Sequence, residues 1–547
     1  MNHPVRSLLR IVVWRSSKRA LIGCSLAAML AFTAAAQAAL WQYRIPFEES
    51  VDRSGTPRRN YVSVWIPPEC NTLRGLYISQ TLGIEGELQV DPEVRRACAE
   101  AGIAILRCEG LGTFNYWTDS GAGPRLLAAL DAVSKAAGHP EIRRVPWITA
   151  GHSTNGIFCR NVAYWKPERV AAVVHIKSGN FHQKDCMPPD ATLAGVPLVA
   201  INGQLETYGP STGIDPEWGR ETQWIYVRKD LLKFREKDPN QLMSMAVHPG
   251  DDHFHGAPEL GRYVAMFLRK TAQYRLPAEL PPGNGPVSAL PLKAESGWLS
   301  DSDLCNPKHP AAPYADYAGD KAKAFWHYDK ETADATAAFH KNLGKHQAID
   351  MPKGEWLDEG DGWTFRVKSE WLAVGPEKFG GKIAGQPLGH SPQPFVYRTK
   401  PSEPVVRIGP DTFRLLRQPV GKGAGTSICA FHPGDDTYRA TSRWGGIAFP
   451  RVKGTKQTID LPAVPDLKAD AEGCTLAGKA SSGLPVYYEV DYGPVVVEGN
   501  RLKVSEVPTK AQFPMACKIT AYQIGRRTGD AVEPAPPVSV TFAVTKP

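Results

Sequence analysis

The chain has 547 residues, 42% apolar and 22% charged, with a formal net charge of +8. One hydrophobic core stops growing near roughly 250–300 residues, so two or three domains are expected, and neither disorder nor a fibrous class fits the composition. Five of the positive charges fall in the first 19 residues, leaving +3 on the remainder, which is no nucleic-acid footprint.

Residues 1–38 read as an export signal. Arg6, Arg10, Arg15, Lys18 and Arg19 form a basic start and Ala20 to Phe32 an apolar stretch. Ala36-Gln37-Ala38 supplies the small residues at which signal peptidase cuts, here after Ala38. The apolar stretch is short against the ~20 residues of a membrane anchor. It also follows Cys24, where a lipoprotein box would have it precede the cysteine. The expected location is periplasmic or secreted, with no membrane attachment after cleavage. Nine cysteines then remain in an oxidising compartment, which permits disulfides and leaves at least one thiol unpaired. No CxxC pair marks a structural zinc site.

From about Tyr61 to Tyr274 apolar runs alternate with amphipathic ones, the pattern of a mainly parallel sheet covered by helices on both faces, and 39–285 is expected as one domain. Strands are predicted over 75–80, 104–108, 147–152, 171–175, 198–202 and 243–247. Helices are predicted over 92–101, 124–137, 156–165, 223–236 and 259–273, where apolar residues recur at three- and four-residue steps. Pro277, Pro281, Pro282, Gly283, Gly285 and Pro286 then read as a linker. Residues 286–462 hold one polar helical segment, 329–343, and short alternating runs at 363–367, 405–408 and 445–449, as in a β-rich accessory domain. Residues 463–547 alternate more strictly, at 486–490, 495–497, 501–504 and 539–544, which predicts a small β-sandwich. Cys474 and Cys517 are spaced for a cross-sheet disulfide.

Gly151-His152-Ser153-Thr154-Asn155-Gly156 follows a buried strand and enters a helix, the setting of a nucleophile elbow, and Ser153 is the candidate nucleophile. Small neighbours are needed because the turn is strained; Gly151 fits, whereas Asn155 stands where G-x-S-x-G has a second glycine. In α/β-hydrolases the acid and the histidine follow the nucleophile in that order. Glu206, after the strand at 198–202, is the candidate acid, with Asp251 or Asp252 as its rivals. His253 is the candidate base, with His248 and His255 as rivals, and the clustering of His and Asp over 248–255 competes as a metal site. His-Pro-Gly-Asp-Asp recurs at 432–436 without the following histidine, which marks the pentapeptide as turn chemistry and singles out His253. Oxyanion donors are expected at Thr154 and, by topology, near Gln80 or Thr81. Phe114, Tyr116 and Trp117 lie in the loop after the strand at 104–108, placed either to stack on a sugar or aryl group or to pack against a neighbouring domain.

Residues 74–450 resemble a group of bacterial exported α/β-hydrolases found beside polysaccharide-degrading enzymes. The resemblance rests on Gly151-His152-Ser153, on Asn161-Val162-Ala163-Tyr164-Trp165-Lys166-Pro167, on Gly203-Gln204-Leu205-Glu206 and on the run from Ala312 to Asp320. It implies a carbohydrate esterase that removes acetyl or methyl esters, with Ser153, Glu206 and His253 as triad and no cofactor. Ser482-Gly483-Leu484-Pro485-Val486-Tyr487-Tyr488-Glu489-Val490, with Gly493-Pro494, is similar to bacterial immunoglobulin-like modules, which act as spacers and binding domains. The expected partner is a polysaccharide or small ester. Two alternatives are a non-catalytic polysaccharide-binding protein on a degenerate hydrolase scaffold, which Asn155 suggests, and an esterase acting on lipid, polyester or peptide.

Overall fold

The computed structural model describes residues 37–547, apart from 52–56, 81–82, 112–120, 180–191, 207–221, 249, 255, 257, 341–344, 347, 378–383, 401–402 and 419–424. Of the expected export signal only Gln37 and Ala38 are therefore described. They pair with Val497 and Val496, so a cut after Ala38 removes this two-residue strand and leaves Ala39, whose amide donates to Val495 O (3.2 Å), as the amino terminus. Among the described residues no helix is long and apolar enough to cross a membrane.

Eight strands form the central sheet: β1 (Tyr43–Val51), β2 (Pro57–Trp65), β3 (Gly75–Ser79), β4 (Ile103–Cys108), β5 (Trp147–His152), β6 (Val170–Ile176), β7 (Leu198–Gly203) and β8 (Met243–His248). Their spatial order is β1-β2-β4-β3-β5-β6-β7-β8. The β1–β2 and β2–β4 pairings are antiparallel and the remaining five parallel. This order, with the elbow after β5, is that of an α/β-hydrolase. Every residue of β3, β5, β6, β7 and β8 is buried, because both faces of a parallel sheet are covered. The antiparallel hairpin β1–β2, partly solvated and interrupted by a bulge between Pro46 and Glu48, has no such apolar run to betray it in the sequence.

The helices are α1 (Ile84–Leu88), α2 (Pro92–Ala101), α3 (Ala122–Ala137), α4 (Asn155–Trp165), α5 (Gln223–Lys237), α6 (Pro258–Arg275) and α7 (Lys330–His340). Local chemistry bounds α2. Asp91 accepts from the amides of Glu93 and Val94, Pro92 opens the first turn, and Gly102 ends the helix at φ 67°. Side chains alternate along the strands, sending Leu76 and Ile78 into a layer with α3, α4 and α5, and Tyr77 into a layer with α2 and α6.

Both layers extend beyond the sheet. Ala289, Leu299, Trp326 and Tyr328 share the α2–α6 layer, so the hydrolase core continues past the boundary expected at 285/286. Residues 350–448 form two facing antiparallel sheets around Phe365, Tyr397, Phe413, Ile428 and Ile447. In the C-terminal sandwich, Tyr488, Leu502, Met515, Ile519 and Phe542 belong to the same cluster as Val62, Leu130 and Val133 of the hydrolase. The middle and C-terminal parts are joined by Trp363, whose indole donates to Gly525 O (3.0 Å), and by Arg527, whose guanidinium lies 5.0 Å from the Trp356 ring centre.

The expected disulfide is corrected. Cys474 and Cys517 are not bonded to each other and each is a free thiol; Cys186 lies outside the described residues. Cys474 lies opposite Leu502 in one sheet, while Cys517 lies in the other, its thiol directed at Met515 O (3.7 Å). Burial pushes the Cys517 thiol up to about 12, which keeps it protonated and unreactive.

Because one core spans the hydrolase and the C-terminal sandwich, Leu502→Ala is expected to cost about 2–5 kcal/mol. Denaturant titration should show the tryptophan signal of the hydrolase shifting together with the far-UV signal.

Candidate active site

Ser153 lies between β5 and α4 with φ 55°, a left-handed conformation unusual for a side chain other than glycine. Two glycines make room for it. A Cβ on Gly151 would lie 1.9 Å from Asn155 O, and one on Gly156 would lie 2.3 Å from Ser178 Oγ. The second small position is thus Gly156, one residue later than in G-x-S-x-G, and Asn155 leaves the elbow intact.

Three side chains from three strand ends meet here. His253 Nε2 lies 2.9 Å from Ser153 Oγ, and His253 Nδ1 lies 2.6 Å from Glu206 Oε1. Glu206 is fully buried, and its second oxygen accepts from Asn202 Nδ2 (2.9 Å) and the Gly203 amide (3.2 Å). The carboxylate is therefore held on both oxygens before any substrate arrives. Its rivals are engaged elsewhere: Asp251 Oδ2 accepts from Lys177 Nζ (2.7 Å) and faces His248 Nδ1 (3.2 Å), while Asp252 Oδ1 accepts from the Phe254 amide (3.0 Å).

His248 faces Asp251 on one side and Glu259 on the other, where its Nε2 lies 3.8 Å from Oε2. Among the described residues no group of three or more His, Cys, Asp or Glu is arranged to hold a metal ion. Thr154 stands at the entrance of α4, where first-turn amides lack helical partners. Thr81, Phe114, Tyr116, Trp117 and His255 lie outside the described residues.

Four features escaped the sequence reading. His152 donates from Nε2 to the backbone oxygen of His253 (2.7 Å), and burial lowers its pKa to about 3, so it stays neutral. Lys177, itself left-handed at φ 43° and fully buried, reaches both Asp251 and the carbonyl of Asp252. Phe254 is 55% exposed and packs edge-on against His253, with ring centres 4.6 Å apart. The middle β-sandwich also touches the histidine loop, through Ser442 N to Gly250 O (3.4 Å) and Arg398 to Gly256 O. Only Phe254, adjacent to His253, carried a readable signal; the others depend on residues far apart in the chain.

No protein-family model matches the chain, and neither does any curated protein. Among solved structures, an esterase of Pyrobaculum calidifontis is 13% identical over 43% of this chain and 86% of its own, with a TM-score of 0.30. An alpha-beta serine hydrolase homologue from Coxiella burnetii is 15% identical over 42% and 99%, with a TM-score of 0.26. A dienelactone hydrolase from Anabaena variabilis is 17% identical over 43% and 98%, with a TM-score of 0.27. Strand order and elbow define the fold independently of these partial likenesses.

Burial alone would lower the pKa of His248, but Asp251 and Glu259 outweigh it and raise it. The folded state then holds this proton more tightly than the unfolded chain. Its stabilisation is complete below the ordinary histidine pKa of about 6.5 and is lost as pH rises through the folded value. The difference in Tm between wild type and His248→Asn should accordingly be larger near pH 6 than near pH 9, and thermal melts at both would show it.

Proposed function

We propose that the chain is a serine carboxylesterase that works through an acyl-enzyme. The supporting observation is the unbroken run of hydrogen bonds from Ser153 Oγ through His253 to Glu206, set on a left-handed elbow. In this reading Ser153 Oγ attacks an ester carbonyl as His253 Nε2 takes its proton, and Glu206 steadies the resulting imidazolium. The Thr154 amide donates to the oxyanion, with a second donor from the loop after β3. Collapse returns the proton to the departing alcohol. Water, deprotonated by His253, then releases the acid and restores Ser153.

The substrate we favour is an acetyl or methyl ester on a polysaccharide, met outside the cytoplasm. Exposed Phe254 beside His253 offers an aromatic face at the mouth of the site, and the middle sandwich adds a wall to the histidine loop. The resemblance to exported carbohydrate esterases points the same way. The binding-protein alternative drew on Asn155 and on the two accessory β domains; against its first ground, Gly156 supplies a small residue beside the elbow.

Ser153→Ala should lower turnover of p-nitrophenyl acetate by about 10⁴-fold or more, and Glu206→Gln by about 10⁴-fold. Asp251→Asn should cost far less if Glu206 is the orienting acid. Acetate and methanol release from acetylated and methylated pectin and xylan would then name the ester. Full activity in Ser153→Ala would overturn the proposal.

A further inference from the structure

Beside the triad lies a second group of buried polar side chains that the mechanism leaves unused. Glu85, on the short helix α1, is fully buried, and so, nearly, is Asn155, in the first turn of α4 two residues after Ser153. Asn155 Nδ2 donates to Glu85 Oε1 at 2.6 Å, a short contact. Glu85 Oε2 accepts from the Gly83 amide (3.1 Å), and Gln80 Nε2 lies 3.5 Å from Asn155 Oδ1. Both edges of the loop after β3 are thus tied to the residue that replaces glycine in the elbow. His152 Nδ1 lies 3.9 Å from Glu85 Oε2, and a Cβ on Gly83 would lie 2.6 Å from that nitrogen, so Gly83 packs tightly against the residue before Ser153.

This arrangement couples two places that the chemistry needs at a set distance. In this fold one oxyanion donor follows the nucleophile and the other comes from the loop after β3. Resting on the esterase reading above, we infer that Asn155 and Glu85 are a pair of positioning residues that hold Gln80, the first residue after β3 and the candidate second donor, at a set distance from Thr154. Asn155 is then a functional replacement for the motif's glycine. Restoring glycine would remove a donor from the buried Glu85 side chain and the contact to Gln80.

The test compares wild type, Asn155→Gly, Glu85→Gln and the double variant on p-nitrophenyl acetate. Inhibition by phenylboronic acid, whose serine adduct mimics the tetrahedral intermediate, is measured alongside, with Ser153→Ala as control. Asn155→Gly should lower kcat by about 10- to 100-fold while KM stays within about threefold, since donors to the oxyanion act in the transition state. Phenylboronic acid should weaken by a similar factor. Glu85→Gln should move in the same direction, and the double variant should be no worse than Asn155→Gly, because the two groups act as one unit.

Wild-type kcat in Asn155→Gly would overturn the inference even with a lowered Tm, since that is what a merely structural role predicts. So would multiplicative losses in the double variant. Should Asn155→Gly fail to fold, the near-isosteric Glu85→Gln decides, and wild-type kcat and boronate affinity there overturn the pairing. A wild-type protein that turns over no ester and whose Ser153 takes no fluorophosphonate label would instead sink the esterase reading beneath it.

Discussion

The left-handed backbone at Ser153 is the constraint around which the site is arranged. A non-glycine residue in this region costs about 1–3 kcal/mol and persists only where its surroundings over-determine it. Here Gly151, next to last in β5, lacks the Cβ that would keep the backbone of Asn155 from closing over it, and α4 begins against Ser178 through Gly156. The Ser153 amide is held by Ile176 O (3.0 Å) of the neighbouring strand. The strain lifts the hydroxyl out of the sheet and toward His253.

The imidazole it meets is secured from several sides at once. Glu206 holds one ring nitrogen, His152 holds the backbone oxygen of His253, and Lys177 holds the two preceding residues. Burial keeps His152 neutral beside the His253 ring. Lys177 and His248 both face Asp251, a buried set in which removing one member strands the others. Such supports act on geometry, and geometry within fractions of an ångström governs catalysis at a triad.

The β-rich parts are structural partners of the hydrolase as well as neighbours. One hydrophobic cluster runs from the sheet into the C-terminal sandwich, and the other takes in residues up to Tyr328. The middle sandwich reaches the histidine loop and, through Lys400 to Glu87 (3.1 Å), the helix that carries Glu85. A free spacer would share no core and touch no working loop. This one does both.

Periodicity along the chain determined the parallel strands and most helices, because burial on two faces forces continuous apolar runs and amphipathic helices repeat at fixed steps. Local patterns also marked Ser153, Glu206 and His253 as residues at the ends of strands. Tertiary structure decided what those patterns left open. Asp251 and Asp252 stood behind Glu206 as rival acids, and in the structure Lys177, His248 and the Phe254 amide engage them. Asn155 read as a defect until Glu85, 70 residues earlier, supplied its partner. Cys474 and Cys517 read as a bond until their sheets placed the thiols apart in different surroundings. In each case the deciding contact joins residues distant in the chain, and only the packing of strand ends against one another brings them together.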